Sequence, residues 1–286
     1  MIELVMVIVI VGILANVLTK LISVPMTAYI AQQRRGELVD NANIAIDRIT
    51  RETHLALPNS VRVTADNLSV EFLRTIDGGR YRTVQGNVGG DVLKFDSADT
   101  AFDVIGQLET CNDPKMNNAV AVDTDCANGN AYCLVIDNSG AAGHNAYNAA
   151  AGNSNIATIN KCDDNPDPTD IILSPDGGDW SDRIHFLYTT LNNNVFPTSG
   201  QHRFQIVDTP VTYRCDPGAK TLQRYDGYPI AAAQPNPPTS TPALVLSNVT
   251  ECSFAYIANS LLFRIKTENQ GEVVTMFQEI KVNNDT

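Results

Sequence analysis

The chain has 286 residues, 43% of them hydrophobic, which is enough for one sizeable core or a core with an appendage. A net charge of −12 and a pI near 4.6 give an acidic surface that repels phosphate backbones, so nucleic acid is excluded as the partner of the folded part. The six cysteines form no CxxC pair, which argues against a zinc ribbon and for disulfides in a periplasmic or extracellular compartment.

The first element is apolar. Leu4 to Leu14 contain nothing polar except Gly12, and Glu3 stands just ahead of them. Counted to about Leu21, the run reaches the roughly 20 residues that a helix needs to cross a bilayer core. No basic stretch precedes it within the chain, which weakens a signal-peptide reading; a plain membrane anchor is the other alternative. The helical pattern continues beyond the apolar run. Leu38, Ala42, Ala45, Ile49 and Ala56, with Ile46 beside them, form an apolar stripe at helical spacing. The opposite face carries charges, including Asp47 with Arg51 and Arg48 with Glu52 at i,i+4. Pro58 closes the pattern. The spacing thus predicts one helix over about residues 2–56, roughly 80 Å long. Residues 1–28 form its hydrophobic half and 29–57 its amphipathic half. Pro25 removes a backbone donor and crowds the carbonyl of Leu21, which predicts a kink or local melting between Gly12 and Pro25.

The opening MIELVMVIVIVGILA resembles the start of type IV pilins and pseudopilins, in which Ile-Glu leads into an apolar helix. The resemblance assigns Glu3 to the acid of that family. There it is thought to face a positively charged N-terminal amine within a filament, while the apolar helices pack side by side. A lone carboxylate in hydrocarbon costs on the order of 3 kcal/mol, so an unpaired Glu3 would penalise misregistered subunits. The resemblance also implies prepilin cleavage and N-methylation, residence in the inner membrane before assembly, pilus assembly machinery as a partner, and other copies or other pilins as filament neighbours. It implies an extracellular location after assembly.

After Pro58 the period changes to two. Residues 58–286 are expected to form an antiparallel β domain, in two sections, with the amphipathic half-helix as its cover: an α+β fold. The expected strands are 61–64, 68–76, 80–84, 92–95, 131–136, 183–189, 202–207, 211–215, 222–225, 243–246, 253–258, 261–268 and 272–282. Asp-Gly-Gly at 77–79, Asp-Pro-Gly at 216–218 and Asn-Gln-Gly at 269–271 read as turns. Between about 108 and 182 the chain is rich in Asn, Ala and Gly without a useful period, and reads as a long surface loop with little core of its own.

Four cysteines fall in that region, and local stapling predicts Cys111–Cys126 and Cys133–Cys162. Cys215 and Cys252 each lie at a predicted strand, with a Pro-rich excursion between them. Their bond closes a loop worth roughly 4 kcal/mol by chain entropy. Asp163, Asn165, Asp167 and Asp170 offer oxygens at a spacing reminiscent of a calcium loop, but Pro168 and Ser174 stand where an EF-hand needs Gly and Glu. Calcium and a solvated acidic loop both fit. His54, His144, His185 and His202 are isolated in sequence, and no GxSxG, P-loop, GxGxxG or HExxH occurs. Asn67-Leu-Ser69 and Asn248-Val-Thr250 match the glycosylation sequon.

A second stretch, FPTSGQHRFQIVDTPVTYRCDPGAKTLQRYDGYPIAAAQP (196–235), together with HLALPNSVRV (54–63), is similar to O-type minor pilins of mannose-sensitive haemagglutinin (MSHA) pilus systems. The function implied is a structural, non-enzymatic filament subunit with a role in adhesion. A type II secretion pseudopilin and an anchored adhesin that never polymerises are the alternatives.

Overall fold

The computed structural model describes residues 2–84, 91–118, 120–122, 124–151, 155–163, 182–187, 196–197 and 199–284. It is an α+β arrangement: one long N-terminal helix, α1 (Ile2–His54), and two antiparallel sheets.

The second half of α1 lies on protein, and its stripe decides which face. Leu38, Ala42, Ala45, Ile46 and Ile49 are all buried. They meet two strands of the smaller sheet, β11 (Ser260–Asn269) and β12 (Glu272–Lys281), and the edge strand β9 (Ala243–Ser247). Burying an Ile or Leu of this kind contributes roughly 1.5–3 kcal/mol. The helix ends at His54. Beyond it the chain turns through Pro58 and Asn59, held by Asn138, whose side-chain amide donates to the Pro58 carbonyl at 2.6 Å.

The three-stranded sheet runs β10 (Val249–Ile257), β11, β12, with tight turns between neighbours. The Asn-Gln-Gly turn forms as the sequence predicts: Asn269 faces Glu272 across it, and Gly271 has a φ of +91°. The nine-stranded sheet is organised around the long strand β7 (Arg203–Asp216). One edge of β7 pairs with β2 (Ser69–Arg80), which continues to β1 (Arg62–Val63). The other edge is shared. Residues 205–207 pair with β4 (Cys133–Val135), and residues 212–216 pair with β8 (Thr221–Tyr225), which leads on to β9. Pro210, which has no N–H to give, falls between those two partner segments. That is why 202–207 and 211–215, expected as two strands, form one. Beyond β4 the sheet extends through β5 (Ile156–Asp163), β6 (Arg183–Leu187) and β3 (Ala101–Asp103).

Three expectations fail here. Asp77-Gly78-Gly79 is not a turn but part of β2. A Cβ on Gly78 would stand 2.9 Å from the Phe204 carbonyl oxygen, and one on Gly79 would stand 3.0 Å from the Phe204 ring, so the glycines permit close strand approach. Residues 80–84 and 92–95 do not form named strands; beyond Arg80 the pairing shrinks to a single bridge from Tyr81 to Val104. Finally, β4 forms within the expected strand 131–136, and β5 adds an unexpected strand beside it inside the segment otherwise read as loop. Met116, Leu134, Ile136, Ala157 and Ile159 pack with Phe102, Phe186, Phe196 and Phe204 in a second core. The aromatics that make this core possible lie outside 108–182, apart from the insertion they cover, so the insertion's own composition conceals it.

Candidate functional site

The first half of α1 is where apolar surface and solvent meet without cover. Leu4, Val5, Met6, Val7, Ile8, Val9, Ile10, Val11, Ile13 and Leu14 are each more than half exposed. An 18-residue window of this segment has a mean hydropathy of 2.6, and none of it is buried within the chain. By length and composition this helix is able to cross a membrane. Glu3 lies in its first turn, where the helix dipole favours a carboxylate. Gly12 has no atom within 4 Å of where a Cβ would stand, so its side of the helix is open to a neighbour. The helix runs through Pro25 without a break. The local melting expected between Gly12 and Pro25 is absent from the isolated chain, because one missing hydrogen bond does not outweigh a long run of helical residues on both sides. Val17, Lys20, Leu21 and Pro25 line a shallow groove on this half.

The junction between helix and domain is pinned by charge. Glu52 accepts from Arg224 Nε of β8 at 2.8 Å and from Arg48 Nε at 3.3 Å, and Arg224 Nη1 also reaches Asp226 at 2.6 Å. The Arg224 side chain is 6% exposed, so the interaction is poorly screened. Sequence reasoning found Glu52 only as a partner of Arg48; its bond to a residue 172 positions away left no local signal.

A second buried pair lies on the face of the large sheet. Glu71 is fully buried and accepts from Arg62 Nη2 at 2.8 Å. The Arg62 guanidinium lies 3.6 Å from the centroid of the Tyr147 ring. It also donates to the carbonyls of Ala231 and Ala232 at 2.9 and 2.7 Å, fastening the Pro-rich segment that follows β8. Tyr147 donates in turn to the Ser60 carbonyl. Burial pushes the Glu71 carboxyl up to about 7, against the opposing pull of Arg62. Its Oε2 has no hydrogen-bond partner among the described residues.

All six cysteines are bonded, as Cys111–Cys162, Cys126–Cys133 and Cys215–Cys252. The last is the expected pair. It joins β7 to β10 and so ties the two sheets together. The expected Cys111–Cys126 and Cys133–Cys162 pairs are wrong, because the region is sheet rather than loop. Cys133 on β4 stands opposite Thr158, four residues from Cys162 along β5. Cys126 lies in the turn that feeds β4 and reaches Cys133 instead, with 5.0 Å between their Cα atoms. Asn117 draws the other pair together: its amide donates to the Cys111 carbonyl at 2.7 Å and its Oδ1 accepts from the Cys162 N–H at 3.0 Å.

The Asp182 carboxylate lies within 4.8 Å of the sulfurs of Cys111 and Cys162. Those sulfurs are already joined to each other, and thiolate is what a metal would need; the carboxylate accepts the Leu108 N–H at 2.5 Å. Of the proposed calcium ligands, Asn165, Asp167 and Asp170 lie outside the described residues. Asp163 has both oxygens engaged, by Lys161 at 2.5 Å and His185 at 2.8 Å. His144 meets Asp137 at 2.6 Å, and His202 packs edge-on to Tyr81. Among the described residues no two histidines converge.

Comparison with family models, with curated proteins and with solved structures found no match to this chain. The functional reading therefore stands on the residues and the geometry.

Proposed function

We propose that this chain is a structural, non-enzymatic subunit of a type IV pilin-like filament, of the MSHA minor-pilin kind, held in the membrane by the first half of α1 before assembly. The observation that carries the reading is the division of one continuous helix: its second half is buried against sheet, and its first half presents a wholly uncovered apolar surface. Such a surface needs lipid or other helices around it. A bundle of like helices would remove it from water while leaving the disulfide-bonded domains outside, available for contact or adhesion. Glu3 supports the same reading, since an acid at the head of an apolar rod demands a cationic partner wherever the rod is buried.

A membrane-anchored binding domain that never polymerises draws on the same apolar helix. Charge reversal separates the two. Glu3→Lys in the full chain should abolish fibre formation while the protein accumulates in the membrane at normal level. Fibres sheared from cells and quantified against membrane-held protein provide the measurement; undiminished fibres would sink the assembly role of Glu3, and a wild-type chain that never leaves the membrane would favour the anchored binder.

A further inference from the structure

We infer that Lys20 of one copy is the cation that meets Glu3 of a neighbouring copy. The inference rests on the filament reading above and names the residue that sets its axial spacing. Between Ile2 and Gln33 the chain carries two charged side chains, Glu3 and Lys20, one of each sign. Both lie on the half of α1 that the domain leaves uncovered. Among the described residues, the first ion pair along the chain is Arg48–Glu52, so the folded domain neutralises neither of them.

They cannot neutralise each other within one chain. Seventeen residues separate them, which is about 25 Å along the axis and about 100° around it. In a bilayer that separation is comfortable: the hydrocarbon is about 30 Å thick, so a carboxylate and a flexible ammonium placed near its two edges both reach headgroups. Transfer into a helix bundle removes the headgroups. Besides the terminal amine, one anionic and one cationic side chain per copy are then left in apolar surroundings, where each is stable only beside an opposite charge.

Two parallel copies displaced by about 25 Å bring Glu3 of one level with Lys20 of the other. Val17, Leu21 and Pro25 form with Lys20 a shallow apolar groove, which gives an arriving helix a seat beside the lysine. The arrangement is head-to-tail. Each copy gives one carboxylate and receives one, so the contact does not close on itself and extends to a stack of any length. The family resemblance points to an N-terminal amine as a partner of the acid; Lys20 needs an anion of its own in the bundle, and Glu3 is the acidic side chain that the stretch from Ile2 to Gln33 offers.

Fibre yield from full-length Lys20→Glu, Glu3→Lys and the double exchange Glu3→Lys/Lys20→Glu tests the assignment. Each single variant should lower the fibre-to-membrane ratio by at least about tenfold, a modest figure for one unpaired buried charge, and the exchange should recover most of it. In a second measurement, Glu3→Cys and Lys20→Cys chains produced together should form an interchain disulfide in fibres, whereas either alone should not. If Lys20→Glu assembles like wild type, or the exchange is no better than the single variants while all accumulate equally in the membrane, Lys20 is not the partner and the filament reading survives. Absence of fibres from the wild-type chain would remove both.

Discussion

The two halves of α1 share one backbone and differ in everything around it. In the second half, apolar residues recur at helical spacing, every member of the stripe from Leu38 to Ile49 is buried, and Ala42 to Ile49 pack in the core with the sheets. In the first half they fill nearly every position, and among the described residues no flank is covered. An amphipathic stripe finds its partner within its own chain; a rod that is apolar all round has to find it outside. Secondary structure is therefore the least informative property of this helix, and the angular distribution of its side chains the most.

The largest effect that tests the contrast is truncation in the core. Ile49→Ala should lower the stability of the domain by about 4 kcal/mol, whereas Ile10→Ala, at a site 56% exposed, should leave the domain's denaturant midpoint unchanged. Equal losses at both sites would show that the first half folds back on the domain. A smaller effect is expected at the pin. Arg224→Ala strands Glu52 beside a buried strand and should cost about 3 kcal/mol, read by the same midpoint, with faster hydrogen exchange confined to residues near His54. No change there would mean that packing alone holds the helix to the sheet.

The smallest effect sharpens the comparison through pH. Glu71 belongs to the covered region, and its carboxyl titrates near 7 when folded against 4.5 when unfolded. Between those values the folded chain holds the extra proton, so its contribution to stability is complete below 4.5 and is lost as the pH rises through 7. Domain stability should fall by at most about 3 kcal/mol across that window, and Glu71→Gln should flatten the profile. A profile unchanged by the substitution would assign the dependence to other groups.

The helix was legible because its signals are local. Leu38, Ala42, Ala45 and Ile49 announce a face by spacing alone, and the Asn-Gln-Gly turn announces itself by composition. What escaped was decided at a distance. Gly78 and Gly79 carry turn chemistry, yet they serve the approach of Phe204, more than a hundred residues away. The strand β5 follows a stretch rich in Asn, Ala and Gly, and its core partners, Phe102, Phe186, Phe196 and Phe204, come from other parts of the chain. The cysteine pairing inherited that error: once Cys133 and Cys162 are placed four residues out of register on neighbouring strands, local stapling has no basis. The site residues divide the same way. Glu3 was visible as an acid heading an apolar run, while Arg62 and Glu71 became a pair only when β1 met β2.

The Cys215–Cys252 bond has a mechanical meaning. A pull on the long helix enters the large sheet through Arg224 and the small sheet through β11 and β12. Joined only by side-chain packing and a few backbone bonds, such as Phe254 N–H to the Asn67 carbonyl at 2.8 Å, the two sheets would peel apart one row at a time under such tension. A covalent rivet between β7 and β10 obliges them to yield together, so the force needed to open the domain should drop sharply in reducing solution, and the first element to give way should then be the three-stranded sheet.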